Sequence, residues 1–150
     1  MAGHLLRAIA WILVGMLLMG AIVWFTMPAL MVIQHKSPRD YQATVAALQQ
    51  AIAAKQDWKI PLISDFQKTI NESGHGPIDK VGSIALCNPR YASRILADPK
   101  NRKVTAFMPL SIGVYEDGKG QVYISQLDVG LMGMMFGGTI AEVWRPPART

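Results

Sequence analysis

With 150 residues, a formal net charge of +5 and a pI near 9.6, the chain has room for one modest domain and little else. Its single cysteine excludes an internal disulfide, so the folded part must stand on its own core. The basic balance suits anionic lipid headgroups or nucleic acid, and the second is set aside because no zinc-finger spacing and no aromatic-rich basic strand is present.

The hydrophobic excess is unevenly spread. From Ala8 to Ile33 there are 26 consecutive residues without a charge. About 20 helical residues cross a hydrocarbon core of about 30 Å, so this run predicts one transmembrane helix. Trp11 near one end and Trp24 and Phe25 toward the other fit an interfacial belt. A cleaved signal peptide is the competing reading, but its apolar region is shorter and ends in small-x-small, whereas Met27-Pro28-Ala29 is a poor cut site. The basic residues flanking the run are nearly balanced. The short amino tail with His4 and Arg7 is the side expected to stay in the cytoplasm. The expectation is a single-pass protein of a bacterial inner membrane, its C-terminal domain in the periplasm.

Ser37-Pro38-Arg39-Asp40 reads as a helix start with Ser37 as the cap, and Tyr41, Val45, Leu48 and Ile52 then form one apolar stripe to about Lys55. Trp58–Ile63 is expected to be a strand, with Pro61 confining it to an edge. Asp65–Ile70 is ambiguous between loop and short helix, and residues 71–77, NESGHGP, are turn chemistry. Val81–Leu86 reads as a buried strand. Asn88 then caps a second helix starting at Pro89 and ending near Asp98-Pro99. Lys100–Lys103 is expected to be an exposed basic turn. SIGVY and QVYIS around Asp117–Gly120 give the clearest hairpin signal. The order predicts an α+β fold, a two-layer sandwich of helices on a mostly antiparallel sheet behind the N-terminal transmembrane helix.

Three segments are expected: residues 1–36 as anchor and short tail, 37–128 as the α+β domain, and 129–150 as a Gly/Met-rich segment with a basic C-terminal tail. Val129–Ala141 is charge-free but, at 13 residues, too short to cross a bilayer. Gly133 and Gly137 at GxxxG spacing make it a candidate for packing on the domain, on a partner helix or on the membrane surface.

The run LCNPRYASRILADPKNRKVTAFMPLSIGVYEDGKGQVYIS, residues 86–125, resembles domain-of-unknown-function family 302, and YQATVAALQQAI, residues 41–52, is similar to that family's opening helix. The resemblance spans Ser37–Asp128, and FGGTIAEV in the tail resembles a membrane-anchored branch. It implies a small, dimeric α/β domain and no particular reaction. Many members carry a second cysteine just after the aliphatic-Pro step, where this chain has Leu110, so a two-thiol function is not implied.

Cys87 is the first candidate site. Directly before a helix start, free N–H groups and the helix dipole favour an anion and a reactive thiol, with Arg90 as a nearby cation. The alternative is a small core hydrophobe. His75, in a Gly-rich turn, could join Cys87 in a ligand or soft-metal site, although no haem-attachment motif is present. Met132, Met134 and Met135 form a thioether cluster of the kind that binds Cu(I), or a packing segment. Arg94, Lys100, Arg102 and Lys103 extend a basic surface suited to lipid phosphate or an acidic partner, or simply a solvated face. No acid–base pair, Ser-His-Asp pattern, P-loop or dinucleotide fingerprint is found, and no cofactor is implied. The reading is therefore a non-catalytic accessory or small-ligand-binding subunit contacting lipid and a membrane complex or a second copy. A thiol- or soft-metal-dependent module is the alternative.

Overall fold

A computed structural model of the chain describes residues 2–145. The contacts divide it into two compact units, Met1–Val32 and Ile33–Thr150. The first is helix α1 (Ala2–Met31), which takes in the expected amino tail as well as the apolar run. Trp11, Leu17, Leu18, Met19, Trp24 and Phe25 are all more than half exposed. Successive positions of an α-helix point in different directions, so α1 is apolar all round rather than on one stripe. It is the one helix among the described residues long and apolar enough to cross a membrane.

A strand within the segment expected to be the anchor, β1 (Val32–Lys36), starts at the boundary and leads into the second unit. There follow α2 (Tyr41–Ala53), β2 (Lys59–Asp65), α3 (Phe66–Glu72), β3 (Val81–Cys87) and α4 (Pro89–Leu96). A 3-10 segment (Pro99–Phe107), β4 (Leu110–Glu116), β5 (Val122–Leu127), α5 (Val129–Phe136) and α6 (Gly138–Trp144) complete it. The architecture is the α+β one expected: a five-stranded sheet in the order β1-β5-β4-β3-β2, with helices packed on it. Registers such as Ile84↔Ile112 and Val114↔Ile124 make the β2–β3, β3–β4 and β4–β5 pairs antiparallel. The Ser37 N–H donates to the Val122 carbonyl at 2.9 Å, which sets the end of β1 beside the start of β5, so this pair is antiparallel too.

Local chemistry explains the element boundaries. The cap of α2 is Asp40, whose Oδ1 accepts from the Ala43 N–H at 2.8 Å, and not Ser37. Ser37 is buried and its hydroxyl is shared with Thr44 Oγ1 at 2.6 Å, so it serves the packing of α2 instead. Asp65, Asp98 and Asp128 cap α3, the 3-10 segment and α5 in the same way. Pro61 sits in the edge strand β2, where its register with β3 is irregular between Lys59 and Leu62. Asp117 fixes the β4–β5 turn by accepting from the N–H groups of Lys119 and Gln121.

Two apolar clusters hold the domain. Tyr41 of α2 meets Val114 and Val122 of the sheet, with Val45 and Leu48 against them, so the predicted stripe is the buried one. The larger cluster joins Ile95, Val104, Met132, Ile140 and Trp144. The Gly/Met-rich segment is therefore part of the core: α5 and α6 pack against each other and α6 against α4. The tail expected beyond Arg145 lies outside the described residues.

Candidate functional site

Antiparallel order gathers five chain positions at one end of the sheet: the starts of β1, β2 and β4 and the ends of β3 and β5. Between that end and helices α4 and α6 lies a cavity of about 560 Å³. Its apolar wall includes Trp58, Tyr91, Ile95, Met108, Leu110 and Trp144, and its polar groups are Lys55, Cys87, Asn88, Gln126 and Arg145. Trp58 and Tyr91 meet edge-to-face, ring centroids 6.3 Å apart, so the turn after α2 closes onto the first turn of α4. The size lies within the range typical of small-molecule sites, as do the mostly apolar walls with a few convergent polar groups.

Cys87 ends β3 and is half-buried on this wall rather than sealed in the core. The helix behind it does not offer the free donors that the sequence suggests. Pro89 has no N–H, the N–H groups of Arg90 and Tyr91 both donate to Asn88 Oδ1 at 3.1 and 3.2 Å, and that of Ala92 donates to the Asn88 carbonyl. Asn88 takes the whole first turn for itself, so the α4 N-terminus is no anion site.

Of the other sequence candidates, Arg90 is exposed and off the cavity wall, as is His75, which follows α3 with its N–H on the Ile70 carbonyl. Among the described residues no three His, Cys, Asp or Glu side chains come together as metal donors. The methionines diverge: Met132 is buried in the core, while Met134 and Met135 are exposed. Arg94 lies 4.0 Å from Glu142 of α6, and Lys100, Arg102 and Lys103 are exposed on the 3-10 segment. A Cβ on Gly133 would stand 3.2 Å from Trp144 Cβ and 3.3 Å from Ala141 Cα, so this glycine lets α5 and α6 touch inside the domain. Gly137 holds φ at +69° between the two helices, a conformation that favours glycine.

Acidic side chains are largely committed to structure. Asp40, Asp65, Asp98 and Asp128 are caps and Asp117 fixes a turn. Glu72, Glu116 and Glu142 each face a lysine or arginine, at 3.9, 3.2 and 4.0 Å. The cations that reach the cavity, Lys55 and Arg145, stand beyond the ends of α2 and α6, far apart in sequence, and carry no local signal of a shared site.

The profile of a family described as "Domain of unknown function DUF302" matches residues 33–143. The crystal structure of an uncharacterized conserved DUF302 protein from Bacillus stearothermophilus is similar, with a TM-score of 0.65 at 19% identity, covering 76% of this chain and 87% of that one. At that identity the likeness carries the fold alone. No curated protein matches the chain.

Proposed function

The chain belongs to the DUF302 family, and we propose that it is a membrane-tethered, small-ligand-binding accessory subunit. The observation that carries this reading is the cavity at the end of the sheet where β2 and β4 start, walled by aromatic and aliphatic side chains and edged by two cations. Its chemistry selects a ligand with an apolar, preferably aromatic body and an anionic end: the body against Trp58, Tyr91 and Trp144, the charge toward Lys55 and Arg145. In this reading α1 crosses the inner membrane once, its short amino tail cytoplasmic, and the domain works in the periplasm on a membrane assembly. The test is titration of the full chain in detergent with 8-anilinonaphthalene-1-sulfonate, an aromatic anion that brightens in apolar sites. A saturable, one-to-one rise that disappears in Ala92→Trp, which fills the cavity from α4, supports the reading. A rise unaffected by that substitution refutes it.

A second reading is favoured by one observation, the partial exposure of Cys87 on the cavity wall. The bound molecule would then lie against a thiol, and the module would handle sulfur species or another thiol-reactive group. His75 has no part in this version, since it lies off the cavity wall.

A further inference from the structure

The domain exposes an apolar patch that the cavity does not use. Met134 and Met135 are 72% and 60% exposed on α5, and Phe136 and Phe107 are more than a third exposed beside them. The two rings lie edge-to-face at 6.0 Å, so α5 and the end of the 3-10 segment form one continuous surface. That 3-10 segment also exposes Lys100, Arg102 and Lys103, of which Arg102 donates from Nε to the Leu96 carbonyl at 3.4 Å and keeps its other guanidinium N–H groups for a ligand. At about 2 Å rise per residue, Lys103 stands roughly 8 Å along the segment from Phe107. Among the described residues none of these three cations is in an ion pair.

Soluble surfaces rarely gather large apolar side chains in this way without a partner. Aromatic and thioether side chains with three cations on the adjoining 3-10 segment fit an anionic lipid surface, where the apolar groups enter the headgroup boundary and the cations meet phosphate. The topology points the same way. β1 runs antiparallel beside β5, so its first residues lie alongside the end of β5, and α5 begins two residues after that strand. The patch is thus built out from the end of the sheet at which β1 starts. Phe136 in turn meets Trp144 edge-to-face at 6.2 Å, and Trp144 is a wall of the cavity.

We propose that the surface formed by Phe107, Met134, Met135 and Phe136, with Lys100, Arg102 and Lys103, docks the domain onto an anionic bilayer. The inference extends the tethered reading by giving the domain its own contact with the membrane, and a ligand reaching the cavity past Trp144 would then come from the lipid side.

The experiment uses the full chain with Cys87→Ser and Met134→Cys, labelled at the new thiol with the environment-sensitive dye NBD. It is reconstituted into phosphatidylcholine vesicles and into equimolar phosphatidylcholine–phosphatidylglycerol vesicles. The expected result is a blue-shifted, brighter NBD in the anionic vesicles alone, lost at about 1 M NaCl, where the screening length is about 3 Å. Each cation contributes about a fivefold factor to the docked-to-undocked ratio, so Lys100→Glu, Arg102→Glu and Lys103→Glu together lower it at least about a hundredfold. The same spectrum in both vesicles overturns the proposal, as does a shift that follows protein-to-lipid ratio instead of lipid charge, which would assign the patch to a second copy. Should the chain wash off in alkaline carbonate, the tether reading falls by itself. Co-flotation with anionic vesicles only, at neutral pH, would still support the patch, and co-flotation with neither would overturn it.

Discussion

Replacing Gly133 separates a glycine used inside the domain from one used between membrane helices. Two terms oppose each other in Gly133→Ala. Alanine gains about 1 kcal/mol of helix propensity over glycine. Its Cβ, however, meets Trp144 Cβ at 3.2 Å and Ala141 Cα at 3.3 Å, closer than the 3.5–4.0 Å optimum, and α6 must give way by a few tenths of an ångström. Overpacking of this kind costs about 1–3 kcal/mol, so the alanine variant lies between the parent's stability and about 2 kcal/mol below it. Gly133→Leu has a similar propensity gain, but three further carbons must enter the same contact, and crowding wins by about 2 kcal/mol. For a domain of this size that is a fall in Tm of roughly 10 °C. Trp144→Ala alone costs about 3–5 kcal/mol, because Trp144 is buried in the larger cluster. In the double variant the leucine occupies space left by the indole, so the loss is smaller than the sum by about 1–2 kcal/mol. Urea unfolding in detergent, followed by near-UV circular dichroism, reads the parent and all four variants. A Gly133→Leu variant as stable as the parent would refute the α5–α6 contact and return this glycine to an intermolecular role.

Asn88→Ala leaves the Arg90 and Tyr91 N–H groups without their acceptor and is expected to cost about 1–2 kcal/mol in the same urea assay; no loss would contradict the cap. Burial of Tyr41, then the nearby charges of Asp65 and Glu116, push its phenol above the ordinary value of 10.0. The unfolded chain therefore loses this proton first, and stability falls as pH climbs past about 10 while being unaffected below it. Tyr41→Phe is expected to lose less stability than the parent between about pH 9 and pH 11, and equal losses would contradict it. Lys55 is exposed, so its charge contributes only about 0.5–1 kcal/mol to an anion in the cavity. Lys55→Gln should weaken binding of the anilinonaphthalene sulfonate about two- to fivefold, and Lys55→Gln with Arg145→Gln about tenfold; unchanged affinity would remove the anionic end from the ligand's description.

What could be read from the sequence was local. The stripe from Tyr41 to Ile52, the edge position required by Pro61, the Asn88-Pro89 helix start and the Asp117–Gly120 hairpin all carry their structural reason within a few residues, and all recur in the fold. β1 was missed because Val32 and Ile33 continue the charge-free run of α1, and only pairing with β5, some ninety residues on, makes them a strand. The glycines of α5 weaken a helix in water, and the burial of Met132 and Gly133 outweighs that; Asp128 as a cap and the Gly137-Gly138 break were the local signs available. The site was legible in part. Cys87 and Asn88 were visible as a strand end and a cap, but their role against the thiol was reversed, since Asn88 satisfies the donors that Cys87 was expected to use. Lys55, Trp58, Gln126 and Arg145 join them only through tertiary packing.

Because the chain has one cysteine, alkylation reports on the cavity directly. The measurement is the rate at which a small maleimide modifies Cys87 in the full chain floated with lipid vesicles, with and without saturating anilinonaphthalene sulfonate. An open, ligand-accepting cavity predicts modification of the folded protein and a marked slowing by the aromatic anion. A thiol that reacts only after unfolding, or one that reacts equally fast with the anion present, would contradict it.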